Sequence, residues 1–125
     1  MLVGILQIEV LIPEAESLKD KRRVVRSLKD RLHREHQVSV AEVDAQERHR
    51  VAVLGVSMVS SDGRRIGATF DTILRKVQST PGAMLGDHRR DILDGEAPGG
   101  FLDESGDPLW TEDDRREGAE ERGAA

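Results

Sequence analysis

Apolar and polar residues alternate from Val3 to Ile12, with Leu6, Ile8, Val10 and Ile12 on one side and Gln7 and Glu9 on the other beside Ile5 and Leu11. A period of two predicts a strand with one face in a core and the other wet or covered by a partner. Pro13 closes it. The period then changes: Leu18, Val25, Leu28 and Leu32, with Val24 at the margin, form the buried stripe of a helix over Ser17 to His36. Ser17-Leu18-Lys19-Asp20 has the form of a capping box, in which Ser17 accepts from a first-turn amide and Asp20 reaches back. Val38 to Val43 predicts a short second strand and Val51 to Val59 a more apolar, central one, joined as a hairpin by the polar Asp44 to Arg50. Asp62 is the expected N-cap of a second helix, whose stripe is Ile66, Phe70, Ile73 and Val77, and Thr80-Pro81-Gly82 ends it. Ala83 to Leu93 predicts a last strand, and the charges of DHRRD place it at a sheet edge, where they discourage aggregation.

The order β-α-β-β-α-β with right-handed crossovers predicts an α+β, ferredoxin-like domain: a four-stranded antiparallel sheet with both helices on one face. At 125 residues, 37% of them hydrophobic, the chain suits one core rather than two. Charge changes the picture near Leu93. Residues 1–93 carry 16 basic and 13 acidic residues, a net +3, whereas residues 94–125 carry 3 and 11, a net −8. The expected organisation is a domain over 1–93 and an acidic tail over 94–125, too poor in apolar residues to offset its ordering entropy. Such a tail could fold over a cationic surface and compete with its ligand. The chain has no cysteine, which removes disulfide and thiolate chemistry and suits a reducing cytoplasm. The apolar N-terminus lacks a basic region and a cleavage site and is interrupted by Gln7 and Glu9, so it reads neither as a signal peptide nor as a membrane span.

Several short blocks resemble the signatures of the YlxP-like family of small bacterial proteins: Leu18-Lys19-Asp20-Lys21-Arg22, then Val38-Ser39-Val40-Ala41-Glu42-Val43-Asp44, Leu54-Gly55-Val56 and Pro81-Gly82-Ala83. The resemblance covers roughly residues 1–93. It implies a ferredoxin-like fold, a cytoplasmic bacterial protein, and a gene neighbourhood of translation-initiation and ribosome-maturation factors, with no established activity. Where many members carry an aromatic residue in the hairpin, this chain has Glu47-Arg48-His49, which puts any ligand contact of that aromatic in doubt.

The strongest candidate chemistry is the outer surface of the first helix. From Lys19 to Arg34 it holds eight Lys or Arg against two Asp. Lys19, Arg22, Arg23, Arg26, Lys29 and Arg34 span a wide arc, and Arg64, Arg65, Arg75 and Lys76 of the second helix are expected to extend it. The candidate nucleic-acid-binding set is Lys19, Lys21, Arg22, Arg23, Arg26, Lys29, Arg64 and Arg65, with RNA or a ribosomal particle as the partner. The competing reading is a solvated face, partly paired by Asp20 with Arg23 and Asp30 with Arg34. Lys21 falls inside the apolar stripe and reads as a snorkelling side chain with its ammonium in water, or alternatively as a lysine aimed at a ligand beyond the sheet end.

Other chemistry has less support. His33 and His36 share a face near a helix C-terminus, which the helix dipole explains without a metal. Glu42, Asp44 and Glu47 read as hairpin solvation, and no catalytic residue or cofactor is named by any phosphate-binding loop or nucleophile elbow. Base stacking on the open sheet face is disfavoured, since the only aromatic residues are Phe70 on a helix stripe and Phe101 and Trp110 in the tail. That face, around Val3, Ile5, Leu11, Val51, Val53 and Val59, is either an ordinary one-sided sheet or an interface, with a protein partner or with a second copy in a homodimer, which is the alternative reading of function.

Overall fold

In the computed structural model, which describes residues 1–95 and Ser105, the elements are β1 (Leu2–Leu11), α1 (Leu18–His36), β2 (Ser39–Asp44), β3 (Val51–Ser60), α2 (Gly63–Gln78) and β4 (Met84–Asp94). Apart from Asp94, Gly95 and Ser105, the expected acidic tail lies outside the described residues. The strands form one antiparallel sheet in the order β2-β3-β1-β4, the ferredoxin-like arrangement, with β1 and β3 in the middle. Leu2 pairs with Ser60 and Leu11 with Val51, so the two central strands match along their whole length.

The period-two pattern decides which face is covered. Leu6, Ile8 and Val10 of β1 and Ala52, Leu54 and Val56 of β3 are buried against the helices. α1 adds Val25, Leu28 and Leu32, and α2 adds Ile66, Phe70, Ile73, Leu74 and Val77. Both helices start as the sequence predicts. Ser17 Oγ accepts from Asp20 N at 3.2 Å, and Asp20 Oδ2 accepts in return from Glu16 N at 3.0 Å, satisfying two amides around the first turn. Asp62 Oδ1 accepts from Arg64 N at 2.9 Å.

Two details alter the sequence picture. Arg90, within the charged run of β4, clasps α2: its guanidinium meets Asp71 Oδ1 at 2.8 Å and lies 5.9 Å from the centre of the Phe70 ring. That arginine fastens the edge strand to the helical layer as well as decorating it. The β2–β3 pairing slips between Glu42 and Asp44, leaving Val43 as an extra residue, and Ala45 follows with φ 58, in the left-handed region.

The β1–β3 register also orients the helices. α1 begins beyond the Leu11 end of β1, next to the start of β3, whereas α2 begins beyond Ser60, at the Leu2 end. A methyl group on Gly63 would touch Leu2. The two helices therefore start at opposite ends of the sheet.

Candidate nucleic-acid interface

The N-terminal half of α1 presents Lys19, Arg22, Arg23 and Arg26 on its exposed side, where with Ser27 and Asp30 they line a shallow groove. A rise of about 1.5 Å per residue spreads these four cations over about 10 Å of helix. Among the described residues none of the four makes an ion pair. The expected neutralising pairs do not form. Asp20 spends its carboxylate on Glu16 N rather than on Arg23, and Asp30 makes no bridge to Arg34. The acid that does pair on this helix is Glu35, which meets Arg31 Nε at 3.5 Å and also Lys76 of α2.

The expected basic set is thereby divided. Lys29 is half-buried and does not line the groove. Arg64 and Arg65 are exposed but sit in the first turn of α2, at the sheet end opposite Lys19 and Arg22, so they do not extend the groove. Arg75 donates to Thr72 Oγ1 at 3.1 Å.

Lys21 leaves the set altogether. It is 0% exposed, the one charged side chain among the buried residues described, and the expected snorkelling is not found. Its ammonium donates to Ala45 O at 2.9 Å, Gln46 O at 3.2 Å and Val51 O at 3.2 Å, and lies 2.9 Å from Glu42 Oε2. Three carbonyls and a carboxylate replace the water it has lost, which makes its burial tolerable. A side chain enclosed in this way cannot meet a phosphate. Glu42, 17% exposed, is accordingly the counter-charge of a buried lysine rather than a solvating hairpin residue. The signal was present in the spacing: Val38, Val40 and Glu42 share one side of a period-two strand, so Glu42 faces the helices just as Lys21 faces the sheet.

The C-terminal end of α1 has its own electrostatics. His33 Nδ1 lies 2.8 Å from the Val38 carbonyl, which fixes the ring as the donor there. The hydrogen bond from Lys76 holds the Glu35 carboxyl below its ordinary value, with Arg31 adding to it. Burial holds the His36 imidazole below its ordinary 6.5, and the Lys76 ammonium lowers it further. His36 is thus no dipole-stabilised cation. Because the folded state binds its proton less readily than the unfolded chain, stability falls as pH drops below about 6.5 and levels off once the folded-state value is passed. Urea midpoints measured at pH 5 and pH 7 should differ more for the wild-type chain than for His36→Met. Equal differences would remove His36 as the cause.

No described helix is long and apolar enough to cross a membrane. Among solved structures the chain is similar to two de novo designed proteins. One is Foldit4, 14% identical at a TM-score of 0.47, covering 75% of this chain and 98% of the design. The other is LFR1 1, described as having a ferredoxin fold, 12% identical at a TM-score of 0.46, covering 82% of this chain and 95% of that one. Among curated proteins it is 28% identical over 80 residues to the uncharacterized protein YlxP of Bacillus subtilis (strain 168), covering 64% of this chain and 87% of the relative. Residues 3–90, nearly the whole of the two-layer domain, match the family described as protein of unknown function (DUF503), and the chain belongs to that family.

Proposed function

We propose that this chain is a non-enzymatic binding module that docks the N-terminal half of α1 on the phosphate backbone of RNA. One observation carries the reading: Lys19, Arg22, Arg23 and Arg26 are exposed together along one groove, and among the described residues no carboxylate is paired to any of them. A surface of this kind gains affinity by releasing condensed counterions from the polymer. Among the described lining residues the single Asp, Asp30, lies at the far end and does not neutralise four cations. The described lining of the groove holds no aromatic side chain, so contact is to phosphates and carries little sequence preference. The resemblance to YlxP-like proteins, with their translation-factor gene neighbourhoods, favours ribosomal RNA or its precursors as the partner.

Four phosphate contacts at about −0.7 each give a log-log salt slope of about −3 on single-stranded RNA. Filter binding of the full chain to unstructured RNA across a salt series measures it. Reversing Arg22, Arg23 and Arg26 to Glu should abolish the binding, while reversing Arg64 and Arg65 at the other end of the layer should weaken it far less. Absence of binding at low salt, or equal losses from both sets, would overturn the reading.

A further inference from the structure

The two helices cover one face of the sheet, and among the described residues the other face has no cover. By register Ile5 lies beside Ser57, Gln7 beside Gly55 and Glu9 beside Val53, while Ser39 and Ala41 of β2 continue the same surface beyond β3. Ile5, Val43 and Val59 are 41%, 50% and 63% exposed. Ile5, Ala41, Val43 and Gly55 line a shallow apolar trough there. Gly55 is its floor, and Val43, the extra residue of the β2 irregularity, leans over it so closely that a methyl group on Gly55 would come within 2.9 Å. The described lining of this trough contains neither a charged nor an aromatic side chain, so it suits neither a phosphate nor a stacked base.

The end of this face near the β2–β3 loop is different. Glu9 projects from β1, and Gly86 opposite gives it room, since a methyl group there would meet Glu9 Oε1 at 2.7 Å. Glu9, Glu47, Arg48 and His49 line one concavity, yet among the described residues their side chains form no ion pair or hydrogen bond. Carboxylates and bases thus stand side by side without satisfying one another.

We infer that the open sheet face is the interface with a second copy of this chain. An isologous interface must be self-complementary, because each patch meets itself across a two-fold axis. This face meets that condition twice: apolar trough against apolar trough, and unpaired Glu9 against the unpaired bases of the facing loop. A two-fold axis along the strands brings the loop ends of both copies together, whereas an axis across them would set each loop against the Val3 and Val59 end. Sheets packed face to face stand about 10 Å apart, so the two cationic helical layers point outward and away from each other. The surface used is separate from the groove of α1, and dimerisation stands or falls independently of RNA binding.

The test is the mass of the full chain in solution by light scattering and sedimentation equilibrium. The wild-type chain should be a dimer, and Ile5→Glu should raise the dissociation constant on the order of 100-fold by burying an unpaired charge, with an unchanged circular dichroism spectrum. The charge swap is sharper. Glu9→Arg alone and Arg48→Glu alone should each weaken the dimer, and the two in one chain should restore it. A monomer at every concentration, or a dimer indifferent to Ile5→Glu, overturns the interface. Failure of the double variant to recover overturns the pairing of Glu9 with the loop and the axis direction drawn from it.

Discussion

Replacing Lys21 by Met should lower the stability of the domain by about 3 kcal/mol, the loss expected when one partner of a buried ion pair is removed. The stem would still fill the space between α1 and the sheet. What disappears is the ammonium, and with it the donor to the carbonyls of Ala45, Gln46 and Val51 and the counter-charge of Glu42. Glu42 keeps some contact with water, which places the effect at the lower end of what a sealed pair would lose. Adding Glu42→Leu to Lys21→Met should recover part of the loss by removing the stranded carboxylate, but not all, since the three carbonyls remain without their donor. Urea unfolding reads this as a lower midpoint with an unchanged slope. A midpoint that does not move would mean the lysine contributes only its aliphatic stem.

The second large effect is steric. Gly4→Val should destabilise by about 1 to 3 kcal/mol or more, because a Cβ at that position falls 2.3 Å from Ile66 Cγ2 and 2.8 Å from the Phe70 ring. Both neighbours are fully buried, so neither can give way without disturbing the core. Gly→Ala in a strand ordinarily gains about 0.5 to 1 kcal/mol, and here the sign should reverse. Gly67 supplies the contrast: it lies on α2, and a methyl group added there would have nothing within 4 Å, so Gly67→Ala should stabilise by up to about 1 kcal/mol. Thermal or urea midpoints of the two alanine variants should move in opposite directions. A stabilising Gly4→Ala would show that β1 and α2 can separate at little expense.

The elements of this fold were legible because their signals are local. Ile66, Phe70, Ile73 and Val77 repeat at steps of four, three and four, and all four are fully buried. Ser17 and Asp62 announce their helices through side chains that reach only a few residues along the chain. The site was legible in kind but not in extent. Arg22, Arg23 and Arg26 emerge on the exposed face where the wheel puts them, but pairs inferred from spacing alone, Asp20 with Arg23 and Asp30 with Arg34, lost to the backbone amide of Glu16 and to solvent. Arg64 and Arg65 look like neighbours of the first helix until its direction is compared with that of the second. Lys21 was hardest, because its partners stand 21 to 30 residues away on a different layer, and only Glu42 among them is distinguished by a side chain.

The enclosure of Lys21 has a consequence for how this chain can vary in length. Surface connections between strands usually accept inserted residues, since closing a longer loop adds little entropy. The connection from Ala45 to Arg50 is not of that kind. Ala45, held in the left-handed region, and Gln46 must aim their carbonyls at the same ammonium that Val51 meets from the start of β3. An added residue anywhere between them would turn at least one carbonyl away and leave the buried charge short of an acceptor. The hairpin connection is therefore a part of fixed length, and an engineered insertion belongs at the exposed Pro81-Gly82 turn, where no buried charge counts the residues.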